Sequence, residues 1–242
     1  MPKKNSDSPF RIWRCCGDGR PSMKAQFCGF RFRLLKPDDV RRVPLQHQGT
    51  PEEVLERISV CGSSAMLAFE GEAHIGQLQF RPYIPDTRSP KGLQDPLYWM
   101  DFQGHAPPLP ERTLALFCYH VGQLDDTDAR DPRYFGRGIG IKLLDETLTW
   151  AQSVGFEVVV AKGLSSLRPV IEYMGGMPTA VYTSRNFLQA ASYRDMELRS
   201  CLDEVLHGRY GIALQEALQT LVAAGVNLDE AAMVTVCLRK FA

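Results

Sequence analysis

The chain has 242 residues, 44% of them hydrophobic, which is enough to bury a sizeable core in one large domain or in one domain with an appendage. Twenty-eight basic residues balance 28 acidic ones, so no overall field directs the chain to nucleic acid or to anionic lipid, and any anion site must be local. No apolar run approaches the roughly 20 residues of a membrane span, and the opening "MPKKNSDSPF" has no apolar core of signal-peptide length, so a cytoplasmic protein is expected. The seven cysteines, Cys15, Cys16, Cys28, Cys61, Cys118, Cys201 and Cys237, show no C-x-x-C spacing and are expected to be reduced thiols. Cys15, Cys16 and Cys28, even with His47, do not match the usual zinc-ligand spacing, so no metal is expected.

Residues 1–29 mix charge, Gly and Pro without a period and read as an N-terminal arm, leaving 30–242 as the folded domain. Phe30, Phe32 and Leu34 alternate as a short strand, with Asp38 or Asp39 able to cap a following helix. In "TPEEVLERISV", Thr50 is the expected N-cap, Pro51 the first helical residue and Glu53 the capping-box partner, for a helix to about Val60. Ser64 to Phe69 and Ile75 to Phe80 read as a hairpin turning at Glu70, Gly71 and Glu72.

Residues 82–112 hold seven of the sixteen prolines and predict a long irregular loop. Within it Tyr98, Trp99 and Phe102 either line a pocket or pin the loop to the core. Thr113 to Leu124 is a continuous apolar strand of the kind buried on both faces. Gly136, Gly138 and Gly140 then alternate ahead of a helical stripe of Ile141, Leu144, Leu148 and Ala151, which Gly155 ends, and "FEVVVAKG" is a further buried strand. Strand, glycine turn, helix, strand is a crossover unit. It predicts two neighbouring, parallel strands, with the turn at the carboxyl end of the first, where a helix N-terminus favours phosphate. There is no G-K-[ST], and the glycines do not space as G-x-G-x-x-G.

The run Pro132, Arg133, Tyr134, Phe135, Gly136, Arg137, Gly138, Ile139, Gly140, Ile141, Lys142, Leu143, Leu144 resembles the pyrophosphate loop of the GNAT superfamily of acetyl-CoA-dependent N-acetyltransferases, commonly written P-x-Y-R-G-x-G-I-G-x-x-L-L. Phe135 stands where the family has Gln or Arg, and Arg137 remains to supply charge. "RPVIEYMGGMPTAVY", from Arg168 to Tyr182, fills the slot of the family's helix ending in Y-E-x-L-G-G, and the resemblance extends over roughly Phe30 to Tyr182. It implies a GNAT-like α/β fold: a mixed central sheet flanked by helices. It also implies acetyl-CoA as co-substrate, held by Val121, Gly136, Arg137, Gly138, Ile139, Gly140 and Ile141.

The implied reaction is attack of a neutral amine on the thioester. The amine must lose a proton, its ammonium having a pKa of about 10.4, and the departing thiolate benefits from an acid. Ile171 occupies the position of the family's usual tyrosine acid, and Tyr173, two residues on, becomes the candidate. Tyr119 and His120 point to opposite faces of the central strand; His120, titrating near neutrality, is the candidate base, with Glu111, Asp125 and Asp126 as other options. "GQLDDTDARD" lengthens the link from strand to loop, and an acidic flap of Asp125, Asp126, Asp128 and Asp131 would favour a cationic amine on a small molecule or peptide. The C-terminal portion predicts two helices broken at Gly208 and a closing strand in "AAMVTVCLRKFA". These helices form an insertion over about 184–228 that is open to covering the acceptor site, making a homodimer contact or capping the core. The alternative from another class is a GNAT-fold module that binds CoA, or regulates, without catalysis.

Overall fold

The structure is a computed structural model that describes residues 29–127, 129–165, 176–208 and 212–241. Its centre is an eight-stranded mixed sheet of β1 (Phe30–Leu34), β2 (Ala65–Glu70), β3 (Ala73–Pro82), β4 (Thr113–Val121), β5 (Val158–Leu164), β6 (Met177–Pro178), β7 (Leu188–Arg194) and β8 (Met233–Lys240). The order is β1-β2-β3-β4-β5-β8-β7, with the two-residue β6 beside the end of β5. The β4–β5 and β5–β6 pairs are parallel and the others antiparallel. This is the α/β class and mixed sheet expected, and the parallel β4–β5 pair is the predicted crossover.

Among the described residues six helices surround the sheet: α1 (Pro51–Cys61), α2 (Ile139–Ser153), α3 (Thr179–Thr183), α4 (Met196–Leu206), α5 (Ile212–Ala223) and α6 (Leu228–Ala231). The start of α1 is built as its sequence dictates: Thr50 accepts from the Glu53 amide, the Glu53 carboxylate accepts from the Thr50 amide, and Gly62 closes the helix at φ 87°. Helix α2 lays Leu143, Leu144 and Ala151 on one face of the sheet, against Leu78, Phe80, Leu116 and Val159. The opposite face is covered by the 82–112 loop and the C-terminal helices, through Tyr98, Trp99, Phe102, Leu198, Leu202 and Leu218.

Two expectations are corrected. No helix follows Asp38 and Asp39: Pro37–Asp39 is a single 3₁₀ turn, because the Asp39 carboxylate turns back to accept from the Lys36 amide and from Arg33. The predicted 184–228 insertion begins with a strand, β7, so the inserted helices lie between the last two strands. Of the two readings open for the aromatics of the long loop, the core placement is seen: Tyr98, Trp99 and Phe102 are buried in the core. Within that loop the only regular pieces are 3₁₀ turns at Gly92–Gln94 and Pro96–Met100.

Loop and insertion share one anchor on the sheet. The fully buried Lys162 of β5 donates to Asp195 Oδ2 at 3.1 Å and to the Tyr98 carbonyl at 2.9 Å, and Tyr98 Oη donates to the same Asp195 oxygen at 2.9 Å. Asp195 Oδ1 meanwhile caps α4, accepting from the Glu197 and Leu198 amides.

Candidate active site

Strands β4 and β5 are paired only from Thr113–Val158 to Leu116–Ala161, yet β4 continues to Val121 and β5 to Leu164. At the point of parting β4 carries a bulge. Gln79 faces Cys118 and Phe80 faces Leu116, so Phe117 has no opposite number on β3. Beyond the bulge the β5-facing edge of β4 offers backbone donors and acceptors that no strand among the described residues receives, and β4 and β5 part.

The glycine turn lies beside that parting. From Gly122 the chain makes an excursion that closes on itself, the Asp131 amide donating to the Gly122 carbonyl at 2.7 Å. The extra residues of "GQLDDTDARD" are thereby looped out, and the strand still leads directly into the turn. Asp131 then caps a 3₁₀ turn at Pro132–Tyr134, and the Tyr134 hydroxyl donates to Glu70 of β2 at 3.1 Å. Gly136 (φ 68°) and Gly138 (φ 76°) adopt left-handed conformations that side chains resist, and Gly138 is the N-cap of α2. It has no side chain to cap with, and the first turn of α2 carries no acid. The amides of Ile139, Gly140 and Ile141, which no helix satisfies from within, therefore keep the positive end of a 15-residue helix open for an anion.

At Gly140 the backbone is ordinary. A Cβ there would stand 3.5 Å from Met177, 3.8 Å from Val121 and 3.9 Å from Tyr119, filling the space where the first turn of α2 meets the ends of β4 and β6. Val121, Gly136, Gly138, Ile139, Gly140 and Ile141 thus come together at one place. Arg137 turns aside: its guanidinium lies 3.7 Å from Glu70 and 4.4 Å from the Phe30 ring centre. Its charge is shared with β2 rather than aimed into the cradle.

Tyr119 and His120 do face opposite sides of β4. Tyr119 is buried on the α2 side, its hydroxyl accepting from Tyr182 of α3 at 3.3 Å, and burial raises both phenols above their ordinary range. On the other side, His120 is 2% exposed, and desolvation with the neighbouring His47 pulls it down to about 3. The expected titration near neutrality is therefore corrected: His120 is uncharged at pH 7 because burial penalises the imidazolium. Its surroundings are amides and a thiol. Gln77 and Gln79 of β3 donate to the Pro44 and Leu45 carbonyls, Gln48 donates to Gln77, and Gln123 Oε1 lies 2.7 Å from His120 Nδ1. Cys118 shares this face, its thiol pushed up to about 12 by burial, with His47 Nδ1 3.2 Å from its sulfur. None of the glutamines stood out in the sequence; the only signal is Gln at 77 and 79, two positions apart and so on one face of β3.

Beside His47 opens a cavity of about 570 Å³ lined by Val40, Arg41, Val43, Leu45, Gln46 and Asp126. The described acids of the expected flap are partly engaged: Asp125 accepts from Thr127, Asp131 pairs with Arg133, and Asp126, which borders the cavity, accepts from the Gln46 amide. Tyr173, the helix from Pro169, Asp128, and Cys15, Cys16 and Cys28 of the arm lie outside the described residues.

No protein-family model matches the chain, and no curated protein matches it. Solved structures similar to it include an N-acetyltransferase from Staphylococcus aureus Mu50 (14% identity over 87% of this chain and 98% of that one, TM-score 0.46). Another is a GNAT-family acetyltransferase from Streptococcus pneumoniae (15%, 88% and 99%, TM-score 0.46). A third is yncA from Salmonella typhimurium with its cofactor acetyl-CoA (15%, 88% and 94%, TM-score 0.44). Likenesses this distant leave the function to be read from the geometry of the chain itself.

Proposed function

We propose that this chain is a GNAT-type acyltransferase that moves an acetyl group from acetyl-CoA to an amine of a small molecule or peptide. The observation that carries the reading is the coincidence of two features: an uncapped helix N-terminus behind left-handed glycines, and the parting of β4 from β5 directly beside it. The first suits a diphosphate. The second suits an extended, amide-bearing arm, which can hydrogen-bond along the free edge of β4 as a strand would. A cofactor with a diphosphate at one end and an amide-bearing arm ending in a thioester matches both.

In the proposed reaction the amine nitrogen attacks the thioester carbonyl, a C–N bond forms, the C–S bond breaks, and the sulfur leaves as a thiolate. Tyr173 is the proposed donor of a proton to that thiolate. His120, pulled down to about 3 by burial, is too weakly basic to keep the amine's proton, and we assign it no part in proton transfer. Asp126 and Arg41 both border the cavity, so its wall offers an acceptor one charge of each sign.

The test is thermal unfolding with acetyl-CoA, ATP or NAD, for the unaltered protein and for Gly138→Trp. A ligand at a hundred times its Kd adds about 2.7 kcal/mol. Stabilisation by acetyl-CoA alone, lost in the variant, is the expected result, followed by CoA release when amines are supplied. CoA release that no amine accelerates would leave a binding module, and no shift with acetyl-CoA would end the proposal.

A further inference from the structure

We propose that His47, Cys118 and His120 bind a divalent transition metal of the zinc class, with a fourth coordination position left open on the side of the cavity beside His47. One ring nitrogen of each histidine and the Cys118 sulfur lie within 4.8 Å of one another. Ligand atoms around tetrahedral zinc, with bonds of about 2.0–2.3 Å, stand roughly 3.5 Å apart, so modest side-chain contraction completes the set. Two imidazoles and a thiolate suit zinc and its neighbours, and no carboxylate in the trio favours magnesium or calcium.

The independent observation is the state of His120. Gln123 Nε2 donates to Gln46 Oε1 at 2.8 Å and to the Thr127 carbonyl at 2.5 Å, which fixes its amide so that Oε1 faces His120 Nδ1 at 2.7 Å. Nδ1 must then carry the proton, and Nε2 is left with a bare lone pair. That nitrogen is buried and has no partner among the described residues. A ring oriented by a hydrogen bond at one nitrogen, with the other free to donate electrons, is how metal-ligating histidines are held. The metal also resolves the buried thiol beside it: Cys118 loses its proton to solvent as the metal–sulfur bond forms, and the thiolate offsets one of the two positive charges. His47 is exposed and supplies the entry path. The site departs from the expectation of no metal, which rested on the arm cysteines, and it stands independently of acyl transfer.

Metal-free protein titrated with Co²⁺ tests it, read by the thiolate-to-cobalt charge-transfer absorption and by displacement with Zn²⁺. One equivalent with a charge-transfer band is expected. The band should vanish in Cys118→Ser, and affinity should fall at least tenfold in His47→Ala, an exposed position whose fold is checked by circular dichroism. Cys15→Ser/Cys16→Ser/Cys28→Ser should keep full binding. Absence of the band, or a band that survives His47→Ala at full affinity or disappears in the triple variant, overturns the proposal. Acetyl-CoA stabilisation, read separately on the same samples, stands or falls without it.

Discussion

Gly140 separates what the fold needs from what a ligand needs. Gly136 and Gly138 are demanded by their positive φ, whereas Gly140 is helical and its absent Cβ would meet only atoms at ordinary contact distance. Ala is a better helix former than Gly by about 1 kcal/mol. Gly140→Ala should therefore leave the melting temperature unchanged or raise it, while weakening acetyl-CoA binding at least tenfold by calorimetry. A variant that is both stable and fully competent to bind would show that the space at Gly140 does not belong to the cofactor. At this scale the glycine turn was legible, because a run of glycines before a helical stripe is a local statement about backbone and amides. The state of His120 was not. Its residue type announces a titration near neutrality, but packing around it decides whether the charged form is tolerated.

Among the elements, the join of β5, the 82–112 loop and α4 rests on Lys162 and Asp195. Burial lowers the Lys162 pKa against the pull of Asp195, and the same carboxylate caps α4 and receives Tyr98. Asp195→Ala removes the cap and leaves an ammonium buried without its partner, so urea unfolding should show a loss of about 3–5 kcal/mol. Lys162→Met/Asp195→Asn should recover part of that, since both buried charges go and the amide oxygen still caps α4, while the amide NH2 replaces the oxygen that accepts from Tyr98 Oη. If the double variant were no better than the single, the ion pair would not be the join. Strand β7 shows why one element escaped the sequence. In "LQAASYR" only Tyr193 is buried, and Leu188 is 61% exposed, so neither face carries an apolar stripe. The segment is a strand because it pairs with β8 at the sheet's edge, a property of its neighbour. The α1 cap, by contrast, was readable to the residue, since every partner lies within three positions.

For the molecule as a whole, buried imidazoles set an acid limit. His74 of β3 is drawn down to about 4 by burial, from an ordinary value near 6.5. Above pH 6.5 it is neutral folded or unfolded and adds no pH dependence. Between 6.5 and 4 the unfolded chain takes up a proton that the native state refuses, so stability falls by up to about 1.4 kcal/mol per pH unit. Urea midpoints of metal-free protein should decline from pH 7 to pH 5, and His74→Gln should lessen the decline, the buried His120 keeping the rest; an unchanged slope would assign it to other groups.

Composition, the crossover unit, the capped α1 and the anion-ready turn were all determined by sequence alone, because each depends on periodicity or on groups a few residues apart. Only the tertiary structure decided where β4 leaves β5, that Tyr98 and Trp99 are core, and that His47 meets Cys118 across 71 positions. Distances of that kind follow from how a sheet twists and what covers it. The energies involved are those of burial, which no single stretch of chain carries by itself.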